Sequence, residues 1–286
     1  KQCLFVVVVN SSTCAMLIKE YRIPLPLTVE EYQIGQLFSV AEASKNETGA
    51  GEGVEVLKNE PFQNVPLLGG KFSQGQYTYK IYHLKRKVPT IVKLMAPKGA
   101  LELHEEAWNA YPFCRTVVTN PTYMKKDFTV IFDSLHVPDR GDSYNAMNLP
   151  QDILDQREVV NIDIANDPIL PSDYQARYDP TKVVSKTNRL PLAGASWKEE
   201  MRPIMTCYKY ISIEFKWFGL QSRIEAYMHK MARRVLTLFH RQVTSTMDEW
   251  IGLTMQNIRE LEAKTKEELD TQRKTGGFRG MADMNM

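Results

Sequence analysis

Alternating polar and apolar positions predict that strands make up the middle of the chain. In GQYTYKIYH (75–83) the alternation places Thr78 and Lys80 on one face of a strand. No helical pattern separates the consecutive segments, so antiparallel pairing is expected. The predicted strands after the first are Val54 to Leu57, then 76–84, 113–119, 126–136, 157–164 and 207–217.

An earlier strand, from Leu17 to Leu27, contains Pro24 and Pro26. Proline cannot donate a backbone hydrogen bond to a neighbouring strand, which predicts an edge position in the sheet. Composition predicts two loops that connect these elements, because proline and glycine interrupt periodic patterns. Residues 59–76 are predicted to be an exposed loop, and residues 165–206 a long ordered loop with short elements.

Helical periodicity appears at both ends of the chain. Thr28 and Glu31 have the spacing of a capping box and predict a helix that ends near Lys45. Thr254 is predicted to cap a final helix. Before it, the 3.6-residue period predicts a long helix with Arg241 on its polar face and an apolar face formed by Ile224, Met228, Met231, Val235, Leu238 and Phe239.

Strands that precede long helices predict an α+β fold in which a curved antiparallel sheet grips a helix. Composition adds little to this picture. The chain has 286 residues, with 36 Lys and Arg against 34 Asp and Glu, a net charge of +2. This balance lacks the strongly basic signal of a nucleic-acid-binding protein, so no nucleic-acid partner is expected.

The termini and the cysteines suggest no secretion and no metal. Cys3, Cys14, Cys114 and Cys207 lack zinc-ligand spacing, which favours a reducing compartment and no metal site. The apolar run at 4–9 is shorter than a usual signal-peptide core, although a secretion signal stays the alternative. Residues 1–15 are therefore predicted to be a leader or extension, and residues 273–286 a mobile tail.

Motifs for catalysis are weak. GAGEG (49–53) follows a helix and precedes a strand, the reverse of the order at a dinucleotide site, and is predicted to be a turn. His104 and Glu105 are not followed by a second histidine at zinc-binding spacing. No catalytic residue is predicted, and the chain is not expected to be an enzyme.

Three features leave alternative interpretations open. Lys209 begins an otherwise apolar strand face, so its ammonium must reach solvent, pair with a carboxylate or meet an anion. Glu262 lies on the inward edge of the last helix, where it is either solvated or functional. Trp217 and Phe218 suit core packing and membrane contact equally, since aromatic rings beside basic residues are typical of membrane interfaces.

Several segments resemble the phosphatidylinositol transfer proteins of the soluble, single-domain class. The similar segments are 32–57, 75–83, 106–116, 215–221 and 239–242, and the resemblance covers residues 16–272 as one domain. It implies a helix-grip fold like that of the steroidogenic acute regulatory-related lipid domains. Long helices would enclose a cavity for one phospholipid, which is cargo and not a cofactor.

The resemblance also implies roles for particular residues. The inositol ring would be held by Thr78, Lys80, Glu105 and Asn109, and the phosphate would lie near Gln36, Thr116, Ser134 and Lys209. Glu262 would reach in from the last helix, Cys114 would line the cavity, and Trp217 and Phe218 would enter the membrane. Position 79 departs from the pattern, since Tyr79 stands where relatives commonly have histidine.

The resemblance predicts that the chain binds phosphatidylinositol or phosphatidylcholine and transfers it between membranes without covalent chemistry. It implies a cytoplasmic monomer that touches membranes transiently, including those of the Golgi and endoplasmic reticulum. Two alternatives stay open. One is a membrane adaptor that binds lipid without carrying it, and the other is a headgroup enzyme that uses Glu105 or His104.

Overall fold

A computed structural model describes residues 17–49, 52–84, 100–217 and 219–277. Its centre is one eight-stranded sheet with the order β2-β3-β4-β5-β6-β8-β1-β7. The strands are β1 (Leu17–Leu25), β2 (Gly53–Phe62), β3 (Gly75–His83), β4 (Glu102–Ala110), β5 (Phe113–Asn120), β6 (Lys125–Val137), β7 (Arg157–Asn161) and β8 (Met205–Phe215).

Within the described ranges, six α-helices surround the sheet, and two short 3-10 helices cover Pro171–Asp173 and Ala176–Tyr178. The α-helices are α1 (Val29–Glu47), α2 (Gln151–Gln156), α3 (Trp197–Glu200), α4 (Gln221–Ser245), α5 (Met247–Trp250) and α6 (Met255–Thr275). The predicted α+β class is confirmed. The long connection at 165–206 contains only short elements, also as predicted.

Strand pairing is antiparallel except at one edge, where β7 runs parallel to β1. The prediction that β1 is an edge strand is therefore wrong. Its prolines are tolerated because the pairing with β7 covers Ile18 to Arg22 and ends before Pro24. A proline beyond the paired residues removes no hydrogen bond from that side of the strand.

The sequence patterns missed β4 and shortened β2. β4 has the sequence ELHEEAWNA, whose three glutamates obscure the alternation, yet β3 and β5 pair with it on both sides. β2 extends to Phe62, because Asn59 pairs with Thr78 in a ladder interrupted by one bulge. Pairing with neighbouring strands thus outweighed a weak local preference for strand. The loop predicted at 59–76 is shorter in the structure and covers residues 63–74.

Each face of the sheet has its own apolar core. On one face, Tyr21, Ile211 and Ile213 pack with Tyr32 of α1 and Trp250 of α5. On the other face, a second core contains Phe113, Leu135, Met147, Tyr208 and Tyr210. We call the first the cavity face and the second the outer face. The cavity face is covered by α1, α4 and α6.

Both predicted caps are present. Thr28 and Glu31 exchange both hydrogen bonds of a capping box, at 3.1 and 2.8 Å, and α1 continues to Glu47, two residues past the predicted end at Lys45. Thr254 forms the same arrangement with Asn257 at the start of α6. This helix enters the predicted tail at 273–286, of which 278–286 lies outside the described residues, as does the predicted leader.

One face of α4 was predicted wrongly. Val235 was placed on the apolar face but is 46% exposed, whereas Arg241 was placed on the polar face and is buried. Arg241 is buried because the segment between β7 and β8 packs against α4. Arg241 donates to the Ile164 carbonyl at 2.6 Å and to Asp179 at 3.1 Å, so its charge is paired and hydrogen-bonded.

Gly35→Ala should lower the free energy of unfolding. A Cβ atom at Gly35 would lie 2.7 Å from the ring of Trp250, which is fully buried and donates to the Val243 carbonyl. Overpacking costs about 1–3 kcal/mol, and the better helix preference of alanine offsets up to about 1 kcal/mol. Urea unfolding measures the difference. Gly277→Ala, with no atom within 4 Å of the added carbon, is the control. Equal stability of the two variants would contradict this packing.

Candidate functional site

The register of the sheet places eight of the predicted site residues on the cavity face. Side chains directly opposite each other on paired strands share a face, and residues two apart on a strand do so as well. One row across the sheet is Gln76, Asn109, Cys114, Ser134 and Lys209. In the next row Thr78 lies opposite Ala107, which in turn lies opposite Thr116. In the row after that, Lys80 lies opposite Glu105.

A cavity of about 150 Å³ lies between this face, α1 and α6. Six predicted residues line it, namely Gln36, Thr78, Lys80, Asn109, Cys114 and Glu262. Glu105 does not line the cavity itself but is hydrogen-bonded to Lys80, which does. Thr116, Ser134 and Lys209 lie on the same face of the sheet but do not line the cavity. The structure therefore brings the predicted residues to one surface, and their roles in ligand binding stay predictions.

Polar groups at one end of the cavity are paired with each other. Lys80 Nζ donates to Glu105 Oε1 at 2.9 Å, and Tyr82 donates to the other carboxylate oxygen at 2.7 Å. Burial and the Glu105 carboxylate raise the pKa of Tyr82, so the phenol stays a donor. The Cys114 thiol donates to Asn109 Oδ1 at 3.1 Å. Thr78 adds a hydroxyl, and together these groups can bind a polyhydroxyl ligand.

Lys209 is a cation among neutral groups. Its half-buried ammonium donates to Ser134 Oγ at 3.1 Å, and within the described ranges no carboxylate lies within ion-pair distance of it. Burial lowers the pKa of His240 to about 3, with a further contribution from Lys209. The same two causes lower the pKa of His136. Both histidines are therefore neutral at neutral pH and leave the ammonium uncompensated.

Two groups that line the cavity are also uncharged. Burial raises the pKa of the Cys114 thiol to about 12, although Lys209 acts in the opposite direction. The side-chain oxygen of Gln36 is buried and lacks a hydrogen-bond partner among the described residues. An ammonium with nearby hydroxyl, amide and thiol groups is suited to an anion such as a phosphate.

Glu262 fastens α6 over the cavity. Its Oε2 accepts hydrogen bonds from Arg259 at 2.6 Å and from Asn59 at 3.0 Å, and Gln76 donates to Asn59 at 2.6 Å. Sequence reasoning missed Asn59 and Gln76, because residues 59–76 were predicted to form a loop, and it also missed Arg259 on the last helix. The alternation of Gln76 with Thr78 could have revealed one of them.

Tyr79 and His104 point away from the cavity. They lie on the outer face, where the Tyr79 hydroxyl and His104 Nδ1 are 2.5 Å apart. The substitution at position 79 therefore does not contact the candidate site. His104 and Glu105 are neighbours on β4 with side chains on opposite faces, so they do not converge as an acid and base pair.

Trp217 lies two residues after the end of β8, at one end of the sheet. Its ring stacks on Phe215 with centroids 6.1 Å apart and approaches Tyr123 at 5.9 Å. Phe218, the second predicted membrane residue, lies outside the described residues. Among the described helices, none combines the length and apolar character that crossing a bilayer requires.

The fold and the site define a class of α+β proteins in which helices cover one face of a sheet and enclose a polar-ended cavity. Residues 16–267 match the family model described as phosphatidylinositol transfer protein. The chain is 51% identical over 272 residues to the phosphatidylinositol transfer protein beta isoform of Homo sapiens, covering 93% of this chain and 97% of that protein.

It is also 46% identical over 256 residues to phosphatidylinositol transfer protein 1 of Dictyostelium discoideum, covering 89% of this chain and 94% of that protein. The chain therefore belongs to the phosphatidylinositol transfer protein family, and the resemblance seen in its sequence is confirmed.

The low pKa of His240 predicts that the protein loses stability as the pH falls below 6.5. Unfolded histidine takes up a proton near 6.5, whereas folded His240 stays neutral down to about 3. Its contribution falls by up to about 1.4 kcal/mol per pH unit in this window. His240→Gln should flatten the change in the free energy of unfolding between about pH 7 and about pH 5.

Urea unfolding at the two pH values measures this slope. Thr244→Ala, a buried and non-titrating change on the same helix, should keep the wild-type slope. A wild-type slope in His240→Gln would show that this histidine is not held neutral by its surroundings.

Proposed function

We propose that this protein binds one phosphatidylinositol or phosphatidylcholine molecule and transfers it between membranes without a covalent step. The observation that carries the proposal is the half-buried Lys209 ammonium, which has no carboxylate partner among the described residues. A phosphodiester supplies the missing negative charge and is common to both lipids. The names of the relatives support the inositol lipid as cargo.

Transfer needs a carrier because phospholipids exchange slowly through water. Exposing about 30 methylene groups at roughly 0.8 kcal/mol each costs close to 25 kcal/mol. Pockets for drug-sized ligands have volumes of about 300–1,000 Å³. The cavity of about 150 Å³ is thus suited to a headgroup, and the acyl chains need more room. Loading would require α6 to move, which breaks the Glu262 contact with Asn59.

Headgroup selection follows from hydrogen bonding. Inositol hydroxyls can satisfy Thr78, Asn109 and the paired Lys80 and Glu105, whereas the choline group has no hydrogen-bond donors. The phosphate near Lys209 and Ser134 would be shared by both lipids. We expect Gln36 and Thr116 to contribute on the phosphate side, and Cys114 to line the cavity between the two regions.

Membrane contact would begin at Trp217 and Phe218. Aromatic rings at a bilayer interface bury apolar surface while basic residues meet anionic headgroups. We infer a monomer that touches the bilayer only during exchange. Its placement in the cytoplasm and its contact with Golgi and endoplasmic reticulum membranes stay predictions, as does the absence of catalysis, of a cofactor and of a metal ion.

Thr78→Ala should abolish transfer of phosphatidylinositol and spare transfer of phosphatidylcholine. The variant removes one hydroxyl from the cavity and leaves the Lys80 and Glu105 pair in place. Transfer of each labelled lipid between donor and acceptor vesicles provides the measurement. Thr119→Ala is the matched control, because it changes a threonine on the outer face. Equal loss of both lipids in Thr78→Ala would reject the proposed division of the site.

Lys209→Ala should slow transfer of both lipids, since the phosphate is common to them. Hydrogen bonds to charged groups contribute about 1.5–3 kcal/mol, which corresponds to a loss of roughly tenfold or more. Lys58→Ala, on a lysine whose side chain is 56% exposed, is the control and should transfer both lipids normally. Unchanged transfer by Lys209→Ala would remove the main support for a phosphate site.

The same assay separates the two alternatives. A membrane adaptor would bind vesicles without moving labelled lipid from donor to acceptor. A headgroup enzyme would convert phosphatidylinositol to a new product, which a heat-inactivated sample would not form.

A further inference from the structure

The turn between β5 and β6 lies beside Trp217 at one end of the sheet. Tyr123 in this turn is 38% exposed, and its ring centroid is 5.9 Å from that of Trp217. Trp217 in turn stacks on Phe215, so three aromatic rings form a continuous cluster. The backbone also joins the two segments, because the Lys216 N–H donates to the Asp127 carbonyl at 2.7 Å.

Asn120 holds this turn in place. Its side chain is almost fully buried, and its oxygen accepts from the backbone N–H groups of Tyr123 and Met124 at 2.8 Å each. Its nitrogen donates to the carbonyls of Ala100 and Glu102 at 3.1 and 2.9 Å. The turn is thereby fastened to the start of β4, and Tyr123 is presented on a fixed backbone instead of a free loop.

Two exposed lysines follow the aromatic residue. Within the part of the chain that the structure describes, neither Lys125 nor Lys126 forms an ion pair. Lys216 is also exposed, but it pairs with Glu214 at 2.6 Å and is largely neutralised. The turn therefore combines an exposed ring with two uncompensated positive charges, next to the aromatic residue already expected at the membrane.

We propose that Tyr123, Lys125 and Lys126 form a second membrane contact beside Trp217, and that its ligand is the surface of an anionic phospholipid bilayer. The tyrosine ring enters the headgroup layer, and the two ammonium groups meet lipid phosphates and carboxylates. This inference rests on the proposed function and adds an anchor to it. Two adjacent contacts restrict the rotation of the bound protein, so this end of the sheet stays against the bilayer.

A bilayer fits these features better than an acidic protein does. The aromatic cluster runs from Tyr123 in the turn to Trp217 and Phe215, and its rings contact one another directly. Lys125 and Lys126 lie two and three residues after Tyr123 along the chain, at the start of β6. This arrangement of an apolar centre with a basic border is typical of surfaces that lie in the membrane interface.

Tyr123→Ala tests the aromatic part of the contact. The full chain is mixed with sedimentable vesicles of phosphatidylcholine that contain about one-fifth phosphatidylserine, and the bound fraction is measured. Loss of one partly inserted ring should weaken binding by roughly fivefold to tenfold and slow lipid transfer in parallel. The matched control is Tyr144→Ala. This tyrosine is 66% exposed, packs on Arg157 and lies outside the turn between β5 and β6. It should bind like the wild type.

A double variant tests the charges. Lys125→Glu with Lys126→Glu should weaken binding to the anionic vesicles by more than about tenfold, because each lysine near such a surface contributes roughly fivefold. Lys125→Arg with Lys126→Arg keeps both charges and should bind normally. The difference should shrink as salt is added, since ions screen exposed charges. Circular dichroism of all variants confirms that each is folded.

The outcomes separate this inference from the proposed function. If the wild type transfers lipid while Tyr123→Ala and the glutamate variant bind vesicles normally, the second contact is wrong and the transfer function stands. If both variants bind weakly but the wild type moves no lipid, the contact stands and the transfer function fails. Normal binding to protein-free vesicles with lost binding to native membranes would overturn the proposal in favour of an acidic protein partner.

Discussion

The central constraint on this protein is an ammonium group on a covered sheet face that needs an anion. Lys209 reaches Ser134 but no carboxylate among the described residues, and its neighbours are two neutral histidines and a neutral thiol. An uncompensated charge in such surroundings is costly, so it is retained only where something else supplies the opposite charge. In the proposed function, the phosphodiester of the bound lipid would supply this charge.

The rest of the structure positions that charge and limits access to it. The register across β3, β4, β5, β6 and β8 places the polar rows side by side on the cavity face. α6 covers them, and Glu262, which pairs with Arg259 on the same helix, holds α6 to β2 through Asn59. The helix also buries Ile258 and Leu269 and pairs with Glu55 through Arg273, so its release breaks apolar contacts as well as this hydrogen bond. In the proposed transfer, closure of the site and release of its contents would depend on the same contacts.

Sequence patterns predicted the fold class, both helix caps and most strands, because these depend on local periodicity and capping. They failed where tertiary contacts decide the outcome. β4 is a strand because its neighbours pair with it, β1 is internal because a short parallel strand covers part of it, and Arg241 is buried because a distant loop supplies Asp179.

The candidate site, too, could be predicted only in part from the sequence. Pattern alone placed Thr78 and Lys80 on one face but left Lys209 and Glu262 undecided, since their surroundings come from strands and helices far apart in sequence. Family resemblance joined these residues into one predicted site, and the register places Lys209 on the same face of the sheet as Thr78 and Lys80. Asn59 and Gln76 escaped both approaches because a glycine-rich stretch disguised the hairpin that carries them.

Native mass spectrometry of the full chain after incubation with vesicles of phosphatidylinositol and phosphatidylcholine tests the central claim most directly. The account predicts a mass excess of a single phospholipid on each chain, reduced in Lys209→Ala. A chain that carries no phospholipid, or a Lys209→Ala variant that carries as much as the wild type, would contradict it.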